Sequence, residues 1–352
     1  MTLQETLEKI KGRNDAAQQE CLRRWDAVAK PLHSLGLLET LTARMAGTQG
    51  TPVPHLCKPR VLVFCADNGV IAEGVSQSGS DVTTAVAEAL ASGNSNVNIM
   101  ASCAGADVET YDVGMVTDGK HPGIHKCKPA NGTKNLAVGP AMTEAEAVYA
   151  LEVGIHAAEK AAAEGCDILV AGEMGIGNTT SSTAVMCVLL GLDPAAVTGR
   201  GSGLDDAGLL RKQNAIRRGI EVNAPDPDDA LDVLRKVGGF DIAAMCGVYL
   251  GGAALGIPVV LDGLISGAAA LIAHRFSPRA ADAMLPSHMS KEPGGSLALD
   301  ALGFRAPIVA DMALGEGTGG VALLPLLQMA LAVLNGDHSF DSIGVDAYTP
   351  QN

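Results

Sequence analysis

The chain has 352 residues, 47% of them hydrophobic but only 3% aromatic, with 42 glycines and a formal net charge of −14. That length holds one large α/β domain with a smaller appendage, or two domains, and a core of Ala, Val, Leu and Ile suits helices packed closely on parallel strands. The acidic balance speaks against a nucleic-acid binder, whose footprint is a basic patch. Eight scattered cysteines with no Cys-x-x-Cys pair speak against zinc and fit a reducing, cytoplasmic compartment.

The first residues, Met1 to Lys9, are charged and helical, without a signal-peptide core. Residues 1 to about 45 read as amphipathic helices broken near Pro31, with Trp25 the single tryptophan. Arg60 to Ala66 is the first buried strand, and it runs into Asp67-Asn68-Gly69, a turn signal. A polar tip at the carboxyl end of a strand is either a ligand site or an ordinary β–α turn.

Asp81 to Met100 has a helical pattern, and Ala106 to Val113 is a second strand. Residues 117 to 140 read as an irregular loop, in which His121 and His125 lack a partner at metal spacing and are expected to be solvated. Thr143 and Glu146 form a capping box that opens a long helix to Glu164.

The stretch Cys166 to Thr183 organises the rest. Asp167 to Ala171 is an apolar run suited to a buried parallel strand. Glycines 172, 175 and 177 follow, then Asn178 and a run of hydroxyl residues leading into a helix. Bare N–H groups at a helix N-terminus make an anion site. The Gly172 to Gly177 spacing matches a nucleotide-triphosphate loop, but Asn178 stands where that loop needs lysine, so a monophosphate is expected. Glu173 would repel such a ligand; it is there either for chemistry or to cap the following helix.

Val197 to Gly203 is a second glycine loop without a dinucleotide fingerprint, which makes an NAD-dependent dehydrogenase a poor reading. On the helix after it, Arg211 and Lys212 read as solvated cations. Ile242 to Leu261 carries no charge and is long enough to span a bilayer, but its glycines and Pro258 favour a helix, a turn and a buried strand from Ile257 to Leu261. Ser287 to Gly295 is a loop, a strand lies near Ile308, and Leu314 to Gly320 opens a helix from Val321 to Leu334. Glu316 lies between two glycines that let a ligand approach closely. It is either a general base whose pKa an apolar ligand would raise, or a surface hinge acid.

Taken together, Gly172-Glu-Met-Gly-Ile-Gly-Asn-Thr-Thr, Asp262-Gly263, the loop Ser287-His-Met-Ser-Lys-Glu-Pro-Gly and Leu314-Gly-Glu-Gly-Thr-Gly resemble the nicotinate-nucleotide–dimethylbenzimidazole phosphoribosyltransferase family, in the right order from about 35 to 335. The resemblance implies a homodimer of an α/β fold. Its Rossmann-like parallel sheet is flanked by helices in a large catalytic domain (46–320), and a small helical domain is built from both chain ends (1–45 and 321–352). It implies transfer of phosphoribose from nicotinate mononucleotide to an aromatic acceptor, with inversion at C1′ and without metal or organic cofactor, in cobamide synthesis. Glu316 would be the general base and Glu173 its assistant. The loop holding Gly175, Gly177, Asn178, Thr179 and Thr180 would bind the phosphate with Lys212, and Gly263 and Ser290 would lie near the nicotinate and ribose. No nucleic acid or membrane partner is implied.

Two positions depart from the family pattern. Asn68 stands in place of histidine, and Ala85 stands where a glutamine orients the benzimidazole. Without that amide a ring nitrogen is left unpaired, which points to a phenol or p-cresol acceptor unless Gln77 compensates. Some family members of that kind work beside a paralogous subunit, so a heterodimer stands beside the homodimer. The alternative function is a silent paralogue supporting an active partner, against which the retention of Glu173 and Glu316 argues.

Overall fold

The computed structural model describes residues 1–348. Its sheet has six strands: β1 (Pro59–Ala66), β2 (Asp107–Gly114), β3 (Ile124–Lys126), β4 (Ile168–Met174), β5 (Val259–Val260) and β6 (Met284–Leu285). They run in the order β3-β2-β1-β4-β5-β6, and every neighbouring pair is parallel. This is the Rossmann order, with β1 and β4 at the point where the winding reverses.

The sheet is covered on both faces, as a parallel sheet must be. Strand alternation sorts β1 between two cores. Leu62, Phe64 and Ala66 join Leu169 and Ala171 of β4 in one core, with the helices Glu144–Ala163, Phe240–Leu255 and Leu264–Phe276. Val61, Val63 and Cys65 join Ile168 and Val170 in the other. There they meet the helices Asp15–Ala27, Leu37–Gln49, Asn96–Ala104 and Thr318–Leu334, so segments from both chain ends share this layer, while the first helix, Leu3–Lys9, packs against the other core. Trp25 is buried there, and its indole N–H donates to Thr42 Oγ1 at 2.9 Å. Val28 forms an antiparallel bridge with Ser339.

The low aromatic content is explained by how closely the helices pack. Gly247 of Phe240–Leu255 lies so near Glu144–Ala163 that a Cβ there would come within 2.0 Å of the Leu151 carbonyl oxygen. The uncharged stretch 242–261 is therefore a buried helix, a turn at Gly256 and then β5. Among the described residues no helix is long and apolar enough to cross a membrane.

Several sequence expectations change. The single helix from Asp81 to Met100 is two, Asp81–Ala91 and Asn96–Ala104, separated at Gly93 (φ +80°) and restarted by a capping box of Ser95 and Asn98. The loop 117–140 contains the edge strand β3, and His125 within it stacks on Tyr111 at 4.7 Å and lies 3.8 Å from Glu109. It is a half-exposed histidine with an aromatic and an acidic neighbour, not a freely solvated one. The strand at 257–261 shrinks to the two residues of β5, and Ile308 makes only a bridge to His288. The sixth strand, β6, has too short an apolar run to carry a pattern. The long helix after Thr143 has the capping box in place and spans Glu144–Ala163.

Candidate active site

Ligands in open α/β sheets bind beyond the carboxyl ends of the strands where the winding reverses. Here the winding reverses between β1 and β4, whose tips are built into each other, and the cavity opens beside them, beyond the ends of β4, β5 and β6. Asp67, buried at the end of β1, accepts from Thr83 Oγ1 at 2.6 Å and from the Val116 N–H at 2.8 Å. Thr83 in turn accepts the Ile176 N–H at 3.3 Å, and the Asn68 carboxamide oxygen accepts from Ser181 Oγ at 2.9 Å. Asp67 and Asn68 therefore brace the glycine loop from behind. Gly175 is required by this docking, since a Cβ there would stand 2.4 Å from the Ala66 carbonyl oxygen.

The loop turns at Gly177 (φ +94°) into the helix Asn178–Leu190. Among the described residues the N–H groups of Gly177 and Thr179 have no acceptor, the free donors that an anion-binding helix N-terminus offers. Lys212, from the helix Asp206–Asn223, is buried at 1% exposure beneath them. Its Nζ donates to Thr179 Oγ1 at 2.8 Å and to the Gly199 carbonyl at 3.2 Å. Burial pushes its pKa down to about 8, opposed by the Glu292 carboxylate. The solvated reading of this lysine is corrected; Arg211 beside it is the exposed one.

Beside the cradle stand acids. Glu173 at the end of β4 is buried and accepts from the Asn178 amide, which also donates to Asp241 at 2.8 Å. Burial, then the Asp241 charge, raise Glu173 to about 8; burial raises Asp241 to about 6. Asp262, after β5, accepts the N–H groups of Gly317, Gly319 and Gly320 at 3.2, 2.7 and 3.2 Å. Burial raises its pKa, opposed by His288 and these donors. Asp262 thereby fixes the start of the helix Thr318–Leu334 and the loop before it.

That loop carries Glu316 in the left-handed region, φ +61°, a conformation that costs a non-glycine residue about 1 kcal/mol or more. Its N–H donates to the Glu173 carbonyl at 3.1 Å, and its Oε2 accepts the Val97 N–H at 3.2 Å, in the first turn of Asn96–Ala104. A cavity of about 240 Å³ is lined both by the cradle, at Gly175, Gly177 and Thr179, and by the acids Glu173 and Asp262.

A phosphoribosyltransferase family model matches residues 10–345 of this chain. The nicotinate-nucleotide–dimethylbenzimidazole phosphoribosyltransferase of Ruminiclostridium cellulolyticum is 40% identical over 350 residues, covering 99% of both chains. The chain belongs to this phosphoribosyltransferase family. The enzyme of the same name from Desulforudis audaxviator is 44% identical over 344 residues, covering 97% of this chain and 98% of that one. The crystal structure of CobT from Thermus thermophilus superposes with a TM-score of 0.90 at 42% identity, over 95% of this chain and all of that one.

In this phosphoribosyltransferase the cavity gathers Glu173, Gly175, Gly177, Asn178, Thr179, Gly263 and Ser290 along its wall, with Lys212 directly behind Thr179. Thr180 is fully buried and does not line the cavity. Asn178 takes part through its side chain, but that amide serves Glu173 and Asp241, which leaves the anion to the backbone. Glu316 does not line the cavity, although its neighbour Gly315 does. Gln77 and Ala85 are exposed and outside it, and the Gln77 amide donates to the Gly203 carbonyl. Sequence reasoning passed over Asp241. Its signal was an acid standing at the head of a twenty-residue uncharged run.

Proposed function

We propose that the protein transfers the 5-phosphoribosyl group from nicotinate mononucleotide to an aromatic base destined to be a cobamide lower ligand, giving an α-riboside 5′-phosphate and nicotinate. The observation that carries this reading is Lys212 seated on Thr179 beneath unpaired loop N–H groups, at a small cavity that Glu173 also lines. The shared name of the relatives supports the substrates.

The chemistry follows from the donor. Its pyridinium nitrogen is cationic and leaves neutral, taking the electrons of the C1′–N bond, so departure needs no general acid. What remains is alignment of the ribosyl carbon and removal of one proton from the acceptor. The cradle and Lys212 hold the 5′-phosphate, while Gly263 and Ser290 flank the sugar and nicotinate. Glu316 takes the proton. Val97 holds its Oε2, and among the described residues its Oε1 carries no hydrogen bond. Glu173 assists from the cavity wall.

A benzimidazole acceptor is the first reading. A phenol is the second, favoured by one observation: the Gln77 amide is engaged with Gly203 and does not replace the glutamine absent at Ala85. Dimerisation, with a second copy or a paralogous subunit, belongs to the same reading. Leu314 and Met289 support it, being apolar, beside the cavity and 55% and 42% exposed. The eight free thiols support a reducing, cytoplasmic setting.

The test is a product assay with nicotinate mononucleotide and either dimethylbenzimidazole or phenol. Riboside phosphate from the first supports the first reading, and product from phenol alone supports the second. No product from either, alone or with a co-purified partner, overturns catalysis and leaves a silent paralogue.

A further inference from the structure

Behind the cavity wall stands a carboxylate that the reaction above does not use. Asp241 opens the helix Phe240–Leu255 and is 0% exposed. Its Oδ1 accepts the N–H of Ile242 at 3.0 Å, and its Oδ2 accepts from the Asn178 amide at 2.8 Å. The same amide nitrogen donates to Glu173 Oε2. A carboxamide nitrogen has two hydrogens, so both are committed, one to each acid.

Among the described residues no lysine, arginine or histidine pairs with either Glu173 or Asp241. Burying a charge without a partner costs several kcal/mol, so two acids on one amide are a poor way to stabilise a wall. The arrangement does fix one thing. An ionised Asp241 is an acceptor only, so it obliges Asn178 to present N–H groups, and not its carbonyl, on this side. That clamps Glu173 Oε2. The other oxygen, Oε1, is left beside Gly315, at the cavity, where a Cβ on Gly315 would be 2.6 Å away.

We propose that Asp241 is a positioning residue for phosphoribosyl transfer, acting through the Asn178 amide to orient the Glu173 carboxyl. The proposal rests on the reading that Glu173 takes part in the chemistry. Its logic is that of the rear carboxylate in a catalytic triad, which holds the working group in orientation without touching substrate. The charged groups around Glu173 are Asp241 from Phe240–Leu255, Asp262 after β5 and Glu316 from the loop before Thr318. All carry the same sign, and Asp241 is the one that shares its hydrogen-bond donor.

The experiment is a double-mutant cycle of Asp241→Asn and Glu173→Gln on the full chain, with turnover and KM for nicotinate mononucleotide measured across pH. Asp241→Asn is expected to lower kcat roughly tenfold or more while leaving KM within about twofold. It should also shift the limb of the kcat profile that reports Glu173 to lower pH, because a like charge has been removed. In the Glu173→Gln background it should cost nothing further. An equal loss in that background, or an unmoved limb, overturns the proposal. Should Asp241→Asn fail to fold by circular dichroism, Asn178→Ser takes its place in the cycle, breaking the same link under the same loss and additivity criteria. Full activity of Glu173→Gln alone would remove Glu173 from the reaction, and the proposal with it, an outcome distinct from additivity.

Discussion

The N–H of Glu316 donates to the carbonyl of Glu173 at 3.1 Å, yet the two carboxylates part company at once, one to the Val97 N–H and the other to Asn178. A Cβ at Gly172 would meet the Glu316 carbonyl oxygen at 2.5 Å, so the two backbones are pressed together. Two acids contributed by segments 143 residues apart in sequence (316 − 173) are thus locked into one unit.

Glu316→Gln keeps the size and the Val97 bond but cannot accept a proton. Turnover is expected to fall by about two to four orders of magnitude, with binding of nicotinate mononucleotide nearly unchanged. Calorimetric titration beside steady-state kinetics checks this, and an equal loss of binding would contradict the role.

Lys212→Met keeps the buried stem and removes the ammonium beneath the cradle. The KM for nicotinate mononucleotide should rise by roughly ten- to a hundred-fold, in line with about 1.5–3 kcal/mol for a hydrogen bond to a charged group. Saturating nucleotide should raise the melting temperature of the unaltered protein but scarcely that of the variant. A full thermal shift in the variant would place the phosphate elsewhere.

Gly175→Ala puts a methyl group against the Ala66 carbonyl at the junction of the two strand tips. The expected loss is about 1–3 kcal/mol of stability, together with weaker nucleotide binding, read by urea unfolding and KM. Ordinary stability and kinetics would mean that the tips can separate.

Glu173 is raised from its ordinary 4.5 to about 8, mainly by burial. A carboxyl raised in the fold binds more protons folded than unfolded, so its contribution to stability is complete below about pH 4.5 and is lost as pH rises through 8. The buried group therefore makes stability decline across that window, and Glu173→Gln should flatten the decline. Urea unfolding of both proteins at about pH 5.5, 7 and 8.5 measures it; parallel curves would show that Glu173 is not the titrating group.

Much of this was legible in the chain because local chemistry and fold agreed. The apolar run before Gly172, the glycines after it and the box at Thr143 each carry their signal within a few residues. Glu316 stood out because glycines isolate it. Other features depended on contacts distant in sequence. Lys212 looks like any helix-surface cation until the helix is seen packed over Thr179. Asp67 reads as a turn residue, and only the arrival of Thr83 and Val116 makes it a brace. The short strands β3, β5 and β6 are held in place by longer neighbours more than by any pattern of their own. Asp241 was hidden because the run after it invites attention for its lack of charge, while the acid at its head does not.

The shared layer of the two chain ends also sets a timetable for synthesis. Gly317 lies against Val61 of β1, and Gly320 against Val170 of β4. Leu323, Leu324 and Leu327 of the same helix complete the core on that face. The central strands are made well before this part of their cover. Until residues beyond 320 emerge, an apolar patch on the older part of the sheet stays open to water, and this face of the core cannot close.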